Sequence, residues 1–263
     1  HQNLIEGGAL IFEATSEAPS KIGEKPKKKP VADTAFVAVP LIKAAGKTFK
    51  NSTTVTIEPS LGEANIYYTL DGTNPTLQST QFEEPIKIDT SCTVKALAVN
   101  AFGKQSKIST ATFFEMPHPE WKISIKSKYN PQYTAGGDEG IIDGIRGEIN
   151  WRKGEWQGYQ SQDFEATIDL GKEQQISKFS AGFLQDVRSW ILMPKYVDFE
   201  LSVDGQNFTS PLSISNTVPD KDETVRIRDL SGTITPQTAR YIRIKAKNYG
   251  KLPSWHPGYE DGG

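Results

Sequence analysis

Cysteine is nearly absent: the 263 residues hold one, Cys92. A single thiol excludes an internal disulfide and any zinc site built on cysteines. Cys92 opens the strand-like run Cys92-Thr93-Val94-Lys95-Ala96, where a buried small hydrophobe is expected rather than a reactive nucleophile. Histidine is scarce as well, and His1, His118 and His256 stand in no metal-ligand or triad spacing. Neither sign of charge is in excess, with 30 Lys and Arg against 32 Asp and Glu. Nucleic acid is therefore excluded as the expected partner, because phosphate binding requires a basic surplus or a clustered basic face. No apolar run approaches the roughly 20 residues that a membrane-spanning helix needs. The chain opens on His1 with no signal peptide, so residues preceding it are expected to direct export.

Recognisable catalytic motifs are missing too: there is no nucleophile elbow, phosphate-binding Gly loop or zinc-protease signature. Carboxylates are plentiful, but Asp71, Asp143 and Asp204 sit at turns, while Glu165, Asp198 and Glu200 fall on polar strand faces. The expectation is a chain that carries no active site of its own.

What is present falls into segments. Residues 1–18 contain Leu4 to Ala14, a Gly7-Gly8 break and an apolar run, which predicts one strand belonging to a core located elsewhere. Residues 19–35 hold Pro19, Pro26, Pro30 and the basic cluster Lys25 to Lys29 without a hydrophobic period, the composition of a solvated linker. Residues 36–116 alternate polar and apolar at 54–57, 66–70, 85–88, 93–99 and 108–114. Turn signals, including a hairpin-type Asp71-Gly72, recur about every ten residues, which predicts a small β-sandwich. Residues 117–263 give further strands at Phe164 to Gly171, at Tyr196 to Phe208 around an Asp204-Gly205 turn, and at Ala239 to Asn248.

Between these last strands lie long loops that hold most of the tryptophan; Trp121, Trp151, Trp156, Trp190 and Trp255 are all in this segment. A sugar offers a flat apolar face fringed by hydroxyls, so a sugar-binding loop needs a ring to stack on and planar polar groups around it. Three loops have that composition. Asn150 to Asp163 carries Trp156 and Tyr159; Leu184 to Pro194 carries Asp186, Arg188 and Trp190; Lys251 to Gly263 carries Trp255, His256 and Tyr259. Trp255, stiffened by Pro253 and Pro257, is the leading ring. The alternatives are structural: Trp151 is expected to plug the core, Trp156 and Trp190 could pack on the sandwich edge, and Arg188 could pair with Asp186.

Resemblances agree with this reading. "IIDGIRGEINWRKGEWQGY", "FEATIDLG", "GFLQDVRSWILMPKYVDFELSVDGQNF" and "ARYIRIKAKN" resemble the discoidin-like domains, also called factor five/eight C-type domains or family 32 carbohydrate-binding modules. The resemblance implies an eight-stranded jelly-roll with ligands at loops of one end. It also implies a structural calcium near Asp143-Gly144, although Ile145-Arg146-Gly147 replaces the usual small polar residues. The chain stops at Gly263, before the strand that closes the sandwich in that family. "IYYTLDGTNPTLQST" with "PIKIDTSCTVKALAV" is similar to the fibronectin-type-III-like module beside chitobiase and hexosaminidase catalytic domains. "HQNLIEGGALIFEATSEAPSKIG" resembles the end of the glycoside hydrolase family 92 α-mannosidases; a β-hexosaminidase parent is the rival.

The combined expectation is all-β: an immunoglobulin/fibronectin-like sandwich followed by a discoidin-like jelly-roll lacking its closing strand. The chain is expected to be the non-catalytic C-terminal region of a secreted bacterial glycosidase, periplasmic or on the outer-membrane surface. It would bind glycans or glycoproteins through the loop aromatics, pack against an upstream catalytic domain, or only stabilise that domain.

Overall fold

The computed structural model describes residues 36–219 and 221–259. The strand expected within residues 1–18 and the linker at 19–35 lie outside the described residues. The chain divides into two compact units. One is centred on residues 55–86 and 93–111; the other takes 112–263 together with 45–54 and 87–92.

Residues 41–115 supply eight strands: β1 Leu41–Lys43, β2 Thr48–Phe49, β3 Thr53–Glu58, β4 Asn65–Thr69, β5 Thr80–Gln81, β6 Ile86–Ile88, β7 Cys92–Val99 and β8 Ser109–Glu115. They form a three-stranded sheet, β1-β3-β6, and a five-stranded sheet, β2-β8-β7-β4-β5. Alternation explains the burial: Val55 and Ile57 in β3, Ile66 in β4, Val94 and Ala96 in β7 and Phe113 in β8 are buried, and Thr54 and Glu58 between them are not. Cys92 is free and half-buried, and burial pushes its thiol pKa up, away from reactive thiolate.

Residues 122–246 supply five more strands: β9 Lys122–Ile125, β10 Phe164–Gln185, β11 Tyr196–Ser202, β12 Leu212–Ser215 and β13 Arg226–Ala246, in sheet order β12-β11-β13-β10-β9. The expected strands at 164–171 and 239–248 prove to be the ends of much longer elements. β10 and β13 pair along nearly their whole length, with irregularities between Asp169 and Gln174 and between Ile176 and Lys178. Bulges bend a strand and add twist, so the ladder folds over on itself. Phe179 and Leu230, from its far half, share a core with Val197, Phe199 and Leu201 of β11, and the Phe179 and Phe199 rings stack at 5.0 Å. One continuous ladder thereby supplies both layers of the sandwich. Among the described residues no strand follows β13, and none of the helical turns is long and apolar enough to cross a membrane.

Asp71-Gly72 does not make the tight hairpin expected of it, and the Asp204-Gly205 turn opens a longer loop. Asp71 Oδ1 accepts from both the amide and the hydroxyl of Thr73, and β4 meets its partner β5 only at Thr80. Asp204 Oδ1 accepts from the amides of Gln206 and Asn207, and the partner β12 starts only at Leu212. In both cases the carboxylate caps the amides that follow and steers the chain into a longer loop.

Candidate functional site

Strand register gathers the long loops at one end of the larger unit. Phe164 lies opposite Ala246, Ala246 opposite Val197, and Tyr196 opposite Ser215. The loops 126–163, 186–195, 216–225 and 247–259 therefore emerge side by side. Backbone and side-chain bonds fuse them: the Lys195 amide donates to Lys247 O and the Asn216 amide to Lys195 O, while Asp163 accepts from the Asn248 amide and pairs with Lys247 Nζ at 2.9 Å. The Lys247 ammonium holds the Asp163 carboxyl below its ordinary pKa.

The expected ligand contacts do not all face outward. His256, only 4% exposed, donates from Nε2 to Val187 O and accepts the Gly258 amide at Nδ1. This fixes its tautomer and pins the 251–259 loop to the 186–195 loop. It corrects the expected ligand contact: both ring nitrogens are already committed, so His256 is a brace. Asp186 closes its loop by paired amide bonds with Ile191, and its carboxylate accepts from Ser189 Oγ and Trp151 Nε1. Its expected partner, Arg188, instead reaches Glu223 at 3.7 Å and leaves its side chain 84% exposed. Trp151 packs edge-on against Tyr133 under the loops, with the Arg152 guanidinium over its ring.

The exposed ring is Trp190 rather than Trp255. Trp190 is 48% exposed, stands edge-on to His256, and lies so close over Gly258 that a Cβ there would meet its ring at 2.5 Å. Its φ of 63° puts a bulky residue in the left-handed region, at a cost of about 1–3 kcal/mol. Tyr259 is 46% exposed on the same loop pair, whereas Trp255 is half-buried beside His256.

Trp156 and Tyr159 form a second group. Trp156 is half-buried, donating to Glu148 O at 2.8 Å. Tyr159 donates to Gln157 Oε1, and Gln157 Nε2 donates to Gly137 O, so this trio stitches the two halves of the 126–163 loop together. Burial raises the Tyr159 phenol pKa well above its ordinary value. The two groups are joined by Trp151 to Asp186 and by Asn248 Nδ2 to Tyr159 O.

Asp143 is buried, and its Oδ1 is taken by the Ile145 amide at 2.7 Å. Burial also raises its pKa. Among the described residues no three His, Cys, Asp or Glu side chains converge. Calcium takes six to eight oxygens, backbone carbonyls and water among them, so a site here would draw on carbonyls more than on side chains.

Sequence reasoning missed one feature, a cavity of about 580 Å³ lined by Lys195, Asn216, Val218, Tyr249, Lys251 and Pro253. The signal was a Tyr-Gly pair directly after the last strand, flanked by lysines.

Known families cover most of the described chain. The F5/8 type C domain matches residues 123–259, from β9 through the last of these loops. The chain belongs to the F5/8 type C domain family. Ahead of this F5/8 type C region, residues 43–110 match the chitobiase/beta-hexosaminidase C-terminal domain. The chain thus carries two accessory modules of the kind attached to glycosidases. No curated protein matches. Among solved structures, the C-terminal domain of a chitobiase from Bacteroides fragilis is 24% identical, covering 52% of this chain and 87% of its own, with a TM-score of 0.34. A fucose-binding module from Streptococcus pneumoniae is 17% identical, covering 47% and 78%, with a TM-score of 0.33. A family 32 carbohydrate-binding module from Clostridium perfringens, solved with galactose, is 17% identical, covering 51% and 86%, with a TM-score of 0.30.

Proposed function

We propose that the F5/8 type C region binds glycans at the Trp190 surface and so holds an attached glycosidase near its substrate. The observation that carries this reading is Trp190 itself: a large ring kept half in solvent, in a backbone conformation that costs energy, and braced from behind by Gly258 and His256. A ring positioned in this way suits the apolar face of a pyranose, and it loses little entropy on binding because it is already fixed. Arg188 and Tyr259 on the same loop pair are exposed enough to meet ring hydroxyls. Calorimetric titration of the whole chain with neutral oligosaccharides tests it. Trp190→Ala should weaken binding by about 2 kcal/mol, roughly thirtyfold, with the melting transition kept. Equal affinity for the variant, or no sugar bound by either protein, would leave the purely structural role.

The parent enzyme acts outside the cytoplasm in this reading, on a polymer or glycoprotein from which a tethered enzyme does not drift away. The N-terminal "HQNLIEGGALIFEATSEAPSKIG" supports an α-mannosidase, while the match over residues 43–110 favours a β-hexosaminidase. Assay of the full gene product on nitrophenyl α-mannoside and nitrophenyl β-N-acetylglucosaminide separates them, since each parent cleaves only its own substrate.

A further inference from the structure

The cavity lined by Lys195, Asn216, Val218, Tyr249, Lys251 and Pro253 has the volume of a small-ligand site and a mixed lining: buried Val218, a half-buried Tyr249 ring and two ammonium groups. No carboxylate of the described residues lines it. Several lysines on this end of the unit are matched by acids: Lys126 with Glu165, Lys153 with Glu148, Lys245 with Glu200 and Lys247 with Asp163. Lys195 and Lys251 have no such pair among the described residues, in a chain whose net charge is −2. Lys195 does act at a distance on Asp163, but that carboxylate is already bonded to Lys247 and the Asn248 amide.

The geometry is also fixed. Lys195 Nζ stands 5.8 Å from the centre of the Tyr249 ring, a cation–π distance, and its backbone bonds to both Lys247 and Asn216. Asn216 Oδ1 accepts from the Val218 amide, which orients the side chain at the cavity wall.

We infer that this cavity is a subsite for an anionic substituent on the bound glycan, a carboxylate or a sulfate ester. Lys195 and Lys251 supply the charge, the Tyr249 ring and Pro253 line the apolar side, and a neutral sugar leaves both ammonium groups of the lining without a counter-ion. The inference rests on the proposed glycan-binding reading and extends it from neutral sugars to acidic ones.

The test is titration of the whole chain with four probes: N-acetylglucosamine, its 6-sulfate, glucose and glucuronic acid. Each is run in about 20 mM and about 500 mM salt, because a partly exposed charge contact is screened by salt. The sulfated or carboxylated probe should bind on the order of tenfold tighter than its neutral counterpart at low salt. That advantage should vanish in the double variant Lys195→Gln/Lys251→Gln, whose exposed positions leave folding intact, and shrink at high salt. Which acid shows the preference tells carboxylate from sulfate. Equal affinity for neutral and acidic probes, or a preference that survives in the double variant, overturns the subsite and leaves the Trp190 reading standing. Binding to phosphatidylserine vesicles without any acidic-sugar preference overturns it in favour of a membrane-facing patch. Trp190→Ala provides the separation: it should weaken neutral and acidic probes by the same factor, and no binding of any probe to either protein defeats both proposals together.

Discussion

The turns of the smaller unit close on themselves, whereas the loops of the larger unit close on one another. Asp71 caps Thr73 two residues on, and Asn100 caps the amides of Phe102 and Lys104. In the larger unit, Trp151 reaches Asp186 across 35 residues, His256 reaches Val187 across 69, and Asn248 reaches Tyr159 across 89. A locally capped turn only reverses the chain. A set of mutually bonded loops makes a rigid surface from distant residues, which is what a binding face requires. The tryptophans, all in the larger unit, follow the same division.

The sharpest way to break this contrast is through a core. Leu170 is fully buried with Ile142 and Ile168, so Leu170→Ala should cost about 2–5 kcal/mol. Scanning calorimetry should show one transition fall and the other stay; a joint fall would mean that the two units do not melt independently. A smaller effect tests the loop surface alone. Gly258→Ala drives a methyl into the Trp190 ring, and relief by local movement should cost about 1–3 kcal/mol together with sugar affinity.

Acid should separate the units further. In the larger one, Asp169 is held below its ordinary pKa by the Arg240 side chain, Glu200 by Arg243, and Asp204 by the amides of Asn207 and Gln206; in the smaller one Asp71 is lowered by Thr73. A lowered folded-state pKa stabilises above the unfolded value, about 4 for a carboxylate, and the stabilisation is lost as pH falls through the folded value. Melting followed from neutral pH downward should therefore show the larger unit losing stability first below about pH 4, and Asp204→Asn should blunt that loss. The smallest effect is expected from the exposed Lys153 and Glu148 pair; Lys153→Ala should leave both transitions in place, since exposed ion pairs contribute little.

The strands were largely legible because alternation is a local signal: β3, β4, β7 and β8 lie within a residue or two of the runs that predict them. The Asp71-Gly72 pair was misleading for a local reason as well. Its carboxylate bonds the Thr73 amide two residues on, and that competes with a tight hairpin. The length of β10 was not legible, because a strand that bends at bulges changes face partway and breaks its own period. Of the candidate loops, composition did not tell which ring stands in solvent. Whether Trp190 or Trp255 faces solvent is decided by Gly258 and His256, through contacts with residues some seventy positions earlier. The cavity at Tyr249 was hidden for the same reason, since its walls come from three loops.

The placement of tryptophan has a spectroscopic consequence. With none before Trp121, excitation at the red edge of the aromatic band reads the larger unit alone, and tyrosine emission is left to include Tyr67 and Tyr68 of β4. Within that signal, the half-exposed Trp190 should be the indole that a soluble quencher reaches most readily. A sugar covering it should shield that fraction and shift the emission to the blue. The protein therefore carries its own probe of occupancy at the proposed site, and needs no attached dye.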